Sequence, residues 1–205
     1  MYLPKHFKQT DIEELKGLVA CFPLATFVAN MGDEFEVNHF PMIWRDDQLI
    51  GHIAFANSMH KTLQNSCKAV FVFTSGDTYV SPNWYPTKAQ HHKHVPTWNY
   101  QVVHMHGELF FKHGEKDRIA AVGLLTQLHE KRMNGDKALK MRDVPRDYIK
   151  TMIEGIVGIE FHIKRLDAKS KLSQNREQID YTVVMDRMEE MQLMGLSQSI
   201  KKLLD

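Results

Sequence analysis

Four stretches of the chain carry side chains whose types and spacing could do chemistry. The first is GHIAFANSMHK (51–61). As a strand, it puts His52, Ala54 and Ala56 on one face with Ile50, and the two small alanines beside the histidine leave that face shallow enough for a flat ring. Asn57 or Ser58 can then cap a helix starting near residue 59, with Lys61 in its first turn. Exposed N–H groups, the helix dipole and a lysine make a candidate phosphate site. The second is YVSPNWYPTK (79–88), where Ser81, Trp84 and Tyr85 lie among Pro82 and Pro86. The prolines stiffen the backbone, and rigid aromatics suit ring stacking or an interface. The third is HVPTWNY (94–100), in which Thr97, Trp98, Asn99 and Tyr100 combine an apolar platform with donors and acceptors. The fourth is KLSQNR (171–176), where Lys171, Ser173, Gln174, Asn175 and Arg176 place five hydrogen-bonding side chains in six positions. Arginine with lysine suits a phosphate or a carboxylate. Each stretch also fits a structural role: a capped junction, a loop tucked onto the core, a packed turn, a helix N-cap. Spacing alone leaves both readings open.

Histidines need a separate test. The chain has 12 of them. His91, His92 and His94 fall on one polar stretch, and His104 and His106 lie two apart on a predicted strand. A transition-metal or haem site is conceivable there. No HExxH is present and neither cysteine joins the group, so the HHKH stretch reads as a solvated loop tip and no metal ligand is assigned. GxGxxG after a strand, GxxxxGK[ST] and GxSxG are all absent from the sequence, leaving a Rossmann site, a P-loop and a nucleophile elbow unsupported. No groove-reading helix pair can be assigned.

The elements that must position these residues read as short strands with helices at the ends and in one late excursion. TDIEELKGLVA (10–20) reads as a helix, with Thr10 and Glu13 as a capping box and Ile12, Leu15, Leu18 and Val19 as its stripe. Strands follow over 23–30, 35–44 and 49–56, separated by MGDE and RDDQ turns. A further hairpin, 69–74 with 78–82, turns at Ser75-Gly76-Asp77. Residues 86–98 read as a loop. In 100–112, Val103, Met105, Leu109 and Phe111 alternate with His104, His106 and Glu108, as a half-buried strand requires. Helices are expected over 117–133, with Ile119, Val122, Leu125 and Leu128 as its stripe, and over 146–156. A last strand covers 158–169 and a terminal helix about 185–205. The sum is mainly β with α: six or seven antiparallel strands in a small barrel with attached helices. No linker interrupts it, so the expectation is one domain over 1–205, with a helical excursion at about 115–157.

Composition limits the classes further. The 205 residues hold 43% hydrophobic and 25% charged side chains, an ordinary globular balance. Lys and Arg total 26 against 25 Asp and Glu, a net charge of +1. A protein that grips DNA by its phosphates usually shows a basic excess. No apolar run approaches the roughly 20 residues of a membrane helix. MYLPKHFKQTD lacks an apolar signal core, so the expected location is the cytoplasm, with Cys21 and Cys67 reduced and buried.

The order of these strings resembles a known family. MYLPKHF, PLATFV, GHIAFAN, YVSPNWYPTK, VPTWNYQVVHMHG, IVGIEF and KLSQNR follow one another as in the PaiB family of FMN-binding negative transcriptional regulators. The resemblance covers about residues 1–183. It implies the FMN-binding split barrel shared with pyridoxamine-phosphate-oxidase-like proteins, and a homodimer with flavin in a cleft between protomers. Carried over residue by residue, the cofactor set is His52, Ala54, Asn57, Lys61, Ser81, Trp84, Thr97, Trp98, Asn99, Tyr100, Lys171, Ser173, Gln174, Asn175 and Arg176. Two positions depart from the family. Ala56 stands where an arginine commonly precedes the asparagine, which shifts charge onto Lys61. Val37-Asn38-His39-Phe40-Pro41 replaces a His-Leu-Pro string. The implied role is control of protease-synthesis and sporulation genes, acting on DNA directly or through another protein. The alternatives are an FMN-dependent oxidoreductase, with His52, Tyr100 and His104 as candidate proton-transfer or substrate groups, and a haem-binding split barrel.

Overall fold

The computed structural model describes residues 1–63 and 65–204. Six strands form a ring-closed antiparallel sheet in the order β1-β2-β3-β6-β5-β4. They are β1 (Leu24–Asn30), β2 (Phe35–Arg45), β3 (Gln48–Ala54), β4 (Cys67–Val80), β5 (Thr97–Lys112) and β6 (Ile156–Lys171). The helices are α1 (Ile12–Cys21), α2 (Met59–Thr62), α3 (Lys88–His91), α4 (Glu115–Asn134), α5 (Arg146–Glu154), α6 (Gln178–Glu190) and α7 (Met194–Leu204).

Local chemistry accounts for the junctions. Asp11 caps α1, its carboxylate accepting from the backbone N–H groups of Glu13 and Glu14. The expected cap, Thr10, is displaced because Gln9 already accepts from the N–H groups of both Thr10 and Asp11. Leu15, Leu18 and Val19 are buried as expected, while Ile12 is exposed. The β1–β2 turn uses Gly32 at φ +85°, with Asn30 Oδ1 accepting from its N–H at 2.7 Å. The β2–β3 turn uses Asp46 at φ +54°, a conformation that aspartate tolerates. Trp44↔Leu49 and Ile43↔Ile50 then pair in register.

Four expectations are corrected. The predicted hairpin over 69–82 is one continuous strand, β4. Its buried-exposed alternation slips by one residue at Gly76-Asp77, the signature of an extra residue in a strand. Ser75 makes this work: its Oγ accepts from the backbone N–H of Gln101 at 3.0 Å and donates to the Gly76 carbonyl at 2.7 Å. The loop expected over 86–98 contains α3 and ends in β5. The single terminal helix is two, α6 and α7, broken where Gln192 adopts φ +60°; Asp205, which closed that prediction, lies outside the described residues. On α4, Ala121 and Leu125 are buried, but Ile119 and Leu128 of the expected stripe are exposed.

The chain divides into two compact units. Unit 1 comprises Met1–Phe22, Phe73–His104 and Asp167–Asp205; unit 2 comprises Pro23–Val72 and Met105–Leu166. Unit 2 is built on phenylalanine. Phe27, Phe71 and Phe161 are fully buried, with ring centroids 5.2 Å apart for Phe27–Phe71 and 4.8 Å for Phe71–Phe161. Gly107 belongs to this unit because nothing larger fits: a Cβ there would lie 1.9 Å from the carbonyl oxygen of His162. Unit 1 packs Val80, Tyr85 and Leu172 against Tyr181, Val184 and Met188 of α6 and Leu196 and Ile200 of α7. Cys21 is exposed and Cys67 half-buried, so neither shows the burial expected of it.

Candidate functional site

In unit 2 the segment after Gly51 forms much as its sequence suggests. Leu49, Gly51 and Ile53 of β3 face the core, while His52 is half-buried and Ala54 exposed on the other side. Burial lowers the pKa of His52, and its Nδ1 is buried with no hydrogen-bond partner among the described residues. Asn57 caps α2: its Oδ1 accepts from the Met59 N–H at 3.0 Å, and its Nδ2 donates to Asn38 Oδ1 at 3.1 Å. Ser58 makes no such cap. Helix α2 is a single turn, which limits the dipole expected of it. Lys61 is exposed, with Nζ 5.5 Å from the centre of the Phe55 ring.

In unit 1 the start of β5 and the end of β6 come together. Lys171 Nζ donates to Thr97 Oγ1. Ser173 Oγ donates to Asn99 Oδ1 at 3.1 Å. Asn99 is fully buried, and its Nδ2 has no partner among the described residues. Lys169 Nζ reaches the Tyr100 hydroxyl at 3.4 Å. Trp98 is 52% exposed, with Tyr79 meeting it edge-on at 6.2 Å between ring centroids. Thus an exposed indole, a buried amide with a spare donor, and lysine lie on one strand end and its neighbour. Trp98 and Asn99, adjacent on the strand, address opposite faces of it, and a ring with a polar edge uses groups of these kinds.

Other expected residues have structural employment. Ser81 Oγ accepts from the Asn83 N–H at 3.2 Å, capping the 3-10 turn Pro82–Trp84, and Trp84 packs on the unit 1 core. Gln174 folds back on its own turn, accepting from the Leu172 N–H at 2.8 Å and donating to the Ser170 carbonyl at 2.5 Å. Ser173 pays for that turn with φ +67°. Asn175 is exposed.

Arg176 ends a buried relay that the sequence does not announce. Its Nη1 donates to His94 Nδ1 at 3.4 Å. His94 therefore carries its proton on Nε2, which donates to Thr87 Oγ1 at 2.7 Å. Thr87 Oγ1 donates to Asp180 Oδ2 at 2.7 Å, and the Thr87 N–H donates to Asp180 Oδ1 at 3.1 Å. Asp180 and Thr87 are both fully buried. Burial lowers the pKa of His94; Asp180 opposes that shift, while Arg176 and His91 reinforce it. The HHKH stretch is therefore only partly a solvated tip: His92 is exposed and His94 is embedded. Among the described residues no three His, Cys, Asp or Glu side chains are grouped to hold a metal ion. Asp180, Thr87, Lys169 and Tyr2 were all missed. Lys169 had a signal, its K-x-K spacing to Lys171 on a strand; Asp180 had none, because its partner Thr87 lies 93 positions away.

The family described as "Putative FMN-binding domain" matches residues 1–165. The chain belongs to this family. Within it, the PAI 2 protease synthase and sporulation protein of Bacillus subtilis (strain 168) is 31% identical over 195 residues, 92% of this chain and 89% of PAI 2. The chain is therefore PaiB-like, as its ordered motifs implied. Two solved structures share its fold. One is the FAD and heme binding protein of Mycobacterium smegmatis, with TM-score 0.58, 14% identity, and coverage of 80% of this chain and 73% of that one. The other is the flavocytochrome Anf3 of Azotobacter vinelandii, with TM-score 0.58, 15% identity, and coverage of 86% and 75%. At such identities the likeness establishes the split-barrel fold and nothing finer. The family match ends at residue 165, before Lys171–Arg176.

Proposed function

We propose that this PaiB-like chain binds FMN as a homodimer and acts as a flavin-dependent negative regulator, its role matching what the name of PAI 2 states for that protein: protease synthesis and sporulation. The observation that carries the flavin reading is the polar set of unit 1. Asn99 keeps a buried N–H donor unused, Trp98 offers an exposed aromatic face, and Lys171 finds a hydroxyl as its partner. These groups fit a flavin, which has a flat ring, a polar pyrimidine edge and an anionic tail. When bound, FMN would supply electron or hydride transfer. The protein's own part is to hold and orient it. Thr97, Trp98, Asn99, Tyr100, Lys171, Ser173, Gln174, Asn175 and Arg176 form one proposed donor set. His52, Ala54, Asn57 and Lys61 form another, and Ser81 and Trp84 belong with the first in unit 1. Each set is tested by itself: Asn99→Ala and Asn57→Ala proteins are titrated with FMN and followed by flavin absorbance and fluorescence. Each loss of a charge-free hydrogen bond should weaken FMN by about threefold to tenfold. Absence of flavin binding by the unmodified protein removes the reading altogether.

The homodimer rests on the outer face of β1, β2 and β4 in unit 2. Val37, Val28 and Val70 align across the three strands, with Leu24 and Phe35 beside them. Leu24, Phe35 and Val37 are 62%, 68% and 52% exposed, and such a patch commonly marks a protein interface. Val37→Lys should convert the dimer to monomer in light scattering; a wild-type monomer ends the proposal. Direct DNA contact has little support in a net charge of +1, so regulation is assigned to a protein or redox partner. Tight, sequence-specific retardation of promoter DNA would overturn that assignment. His52 favours a second reading, an FMN-dependent oxidoreductase. Its Nδ1 has no partner among the described residues, and burial, which lowers the ring's pKa, leaves that nitrogen a candidate proton acceptor. Reduction of the FMN-loaded protein by NADH or NADPH, slowed in His52→Gln, is the expected result.

A further inference from the structure

Strand β6 closes with Lys169-Ser170-Lys171, and residues two apart on a strand share a face. Lys169 is only 8% exposed. Its Nζ is surrounded by the Tyr100 hydroxyl at 3.4 Å and by the rings of Tyr2 and Tyr100, with centroids at 5.5 and 5.9 Å. Lys171 is bonded to Thr97 Oγ1. Burial lowers the pKa of Lys171, and the charges of Lys169 and Arg176 push it the same way. Arg176 itself lies 5.2 Å over the Tyr85 ring and donates to His94. Among the described residues, the partners of these three cations are hydroxyls, rings and an imidazole. Of the carboxylates close to them in sequence, Asp180 accepts both Thr87 donors, Asp167 faces the N-terminal ammonium at 3.7 Å, and Glu177 beside Arg176 is exposed.

Collecting like charges and burying one of them costs stability unless an anion offsets the cost. At 8% exposure, little of Lys169 reaches water, whereas a snorkelling lysine extends its head into it. The spare buried donor of Asn99 adds a second, uncharged call for an acceptor in the same unit. Three cations match a doubly charged oxyanion better than a single carboxylate. The low exposure of Lys169 favours a terminal phosphate over a phosphodiester, whose flanking sugars could not follow it in.

We propose that Lys169, Lys171 and Arg176 form a binding site for a phosphate monoester dianion. Two sources share that chemistry, the 5′-phosphate of FMN and the phosphate of a second small ligand. The first source rests on the flavin reading above; the second does not. Lys169→Met is the deciding variant, with Lys171→Met in its place should it fail to fold. Thermal unfolding of the flavin-free protein is followed with inorganic phosphate and with chloride at matched ionic strength, and FMN and riboflavin are titrated separately. Phosphate should raise the melting temperature of the wild type beyond chloride. Lys169→Met should be at least as stable as the wild type without ligand, and should lose that response. If its FMN affinity also falls about tenfold or more while riboflavin is unaffected, the three-cation site holds the flavin phosphate. If FMN binds it normally, or binds neither protein, loss of the phosphate response assigns the site to a second ligand. Equal responses of wild type and Lys169→Met to both phosphate and FMN overturn the proposal.

Discussion

Units 1 and 2 have opposite interiors. Unit 2 buries Phe27, Phe71, Phe161, Met105 and Leu109, and each buried polar or charged residue identified among the described residues lies in unit 1. They include Thr87, Asn99, Gln101, Lys169, Ser170 and Asp180. Several are joined by specific bonds: Gln101 Nε2 donates to Ser170 Oγ at 3.0 Å, and Ser199 Oγ donates to Gln101 Oε1 at 2.9 Å. An apolar interior is stabilised by area and packing. A polar interior stands or falls on whether each group is satisfied. The comparison teaches that this chain keeps a phenylalanine-rich core in one unit and its buried polar side chains in the other.

The comparison can be broken most forcefully in unit 2. Gly107→Ala places a methyl group 1.9 Å from the His162 carbonyl oxygen, and loss of folded protein in circular dichroism and solubility assays is expected. Phe71→Ala leaves a cavity among Phe27, Phe40 and Phe161 and should cost about 3–5 kcal/mol in urea unfolding. In unit 1, Asp180→Ala strips Thr87 of two acceptors. It should cost about 1–3 kcal/mol, with faster amide exchange around residues 87–94.

The smallest effect is a pH dependence. His52 and His94 have folded pKa values below the ordinary 6.5, so the unfolded chain takes up protons first as pH falls. Their contribution is complete above about pH 6.5 and declines below it. Melting temperature should therefore drop on acidification through that window. The slope should flatten in the His52→Gln, His94→Gln double variant, and an unchanged slope would assign the acid sensitivity to carboxylates.

Much of the barrel was legible because strand periodicity is local. The alternation of Val103, Met105, Leu109 and Phe111 is reproduced by burial along β5. The β4 reading failed because Ser75-Gly76-Asp77 has the composition of a turn, and the choice of a strand was made by the backbone of Gln101, 26 positions away. The break between α6 and α7 had no Gly or Pro to mark it, since Gln192 supplies the left-handed residue. At the candidate site, the structure joins the strings VPTWNY and KLSQNR through Thr97–Lys171 and Asn99–Ser173. They could not distinguish a ligand donor from a turn-former, and Gln174 and Ser81 are occupied by their own turns. Asp180 was invisible because a buried carboxylate is identified by its distant partner, not by its neighbours in sequence.

Closure of the strand ring has a consequence for how copies of this chain can meet. An open sheet offers its outermost backbone as a template, and two such sheets can fuse by extending one another's ladders. The order β1-β2-β3-β6-β5-β4 returns to its start, so the ring has no terminal strand. Association of copies then falls chiefly to side chains. It can be redrawn one residue at a time, and it is protected from the runaway stacking to which exposed strand edges are prone.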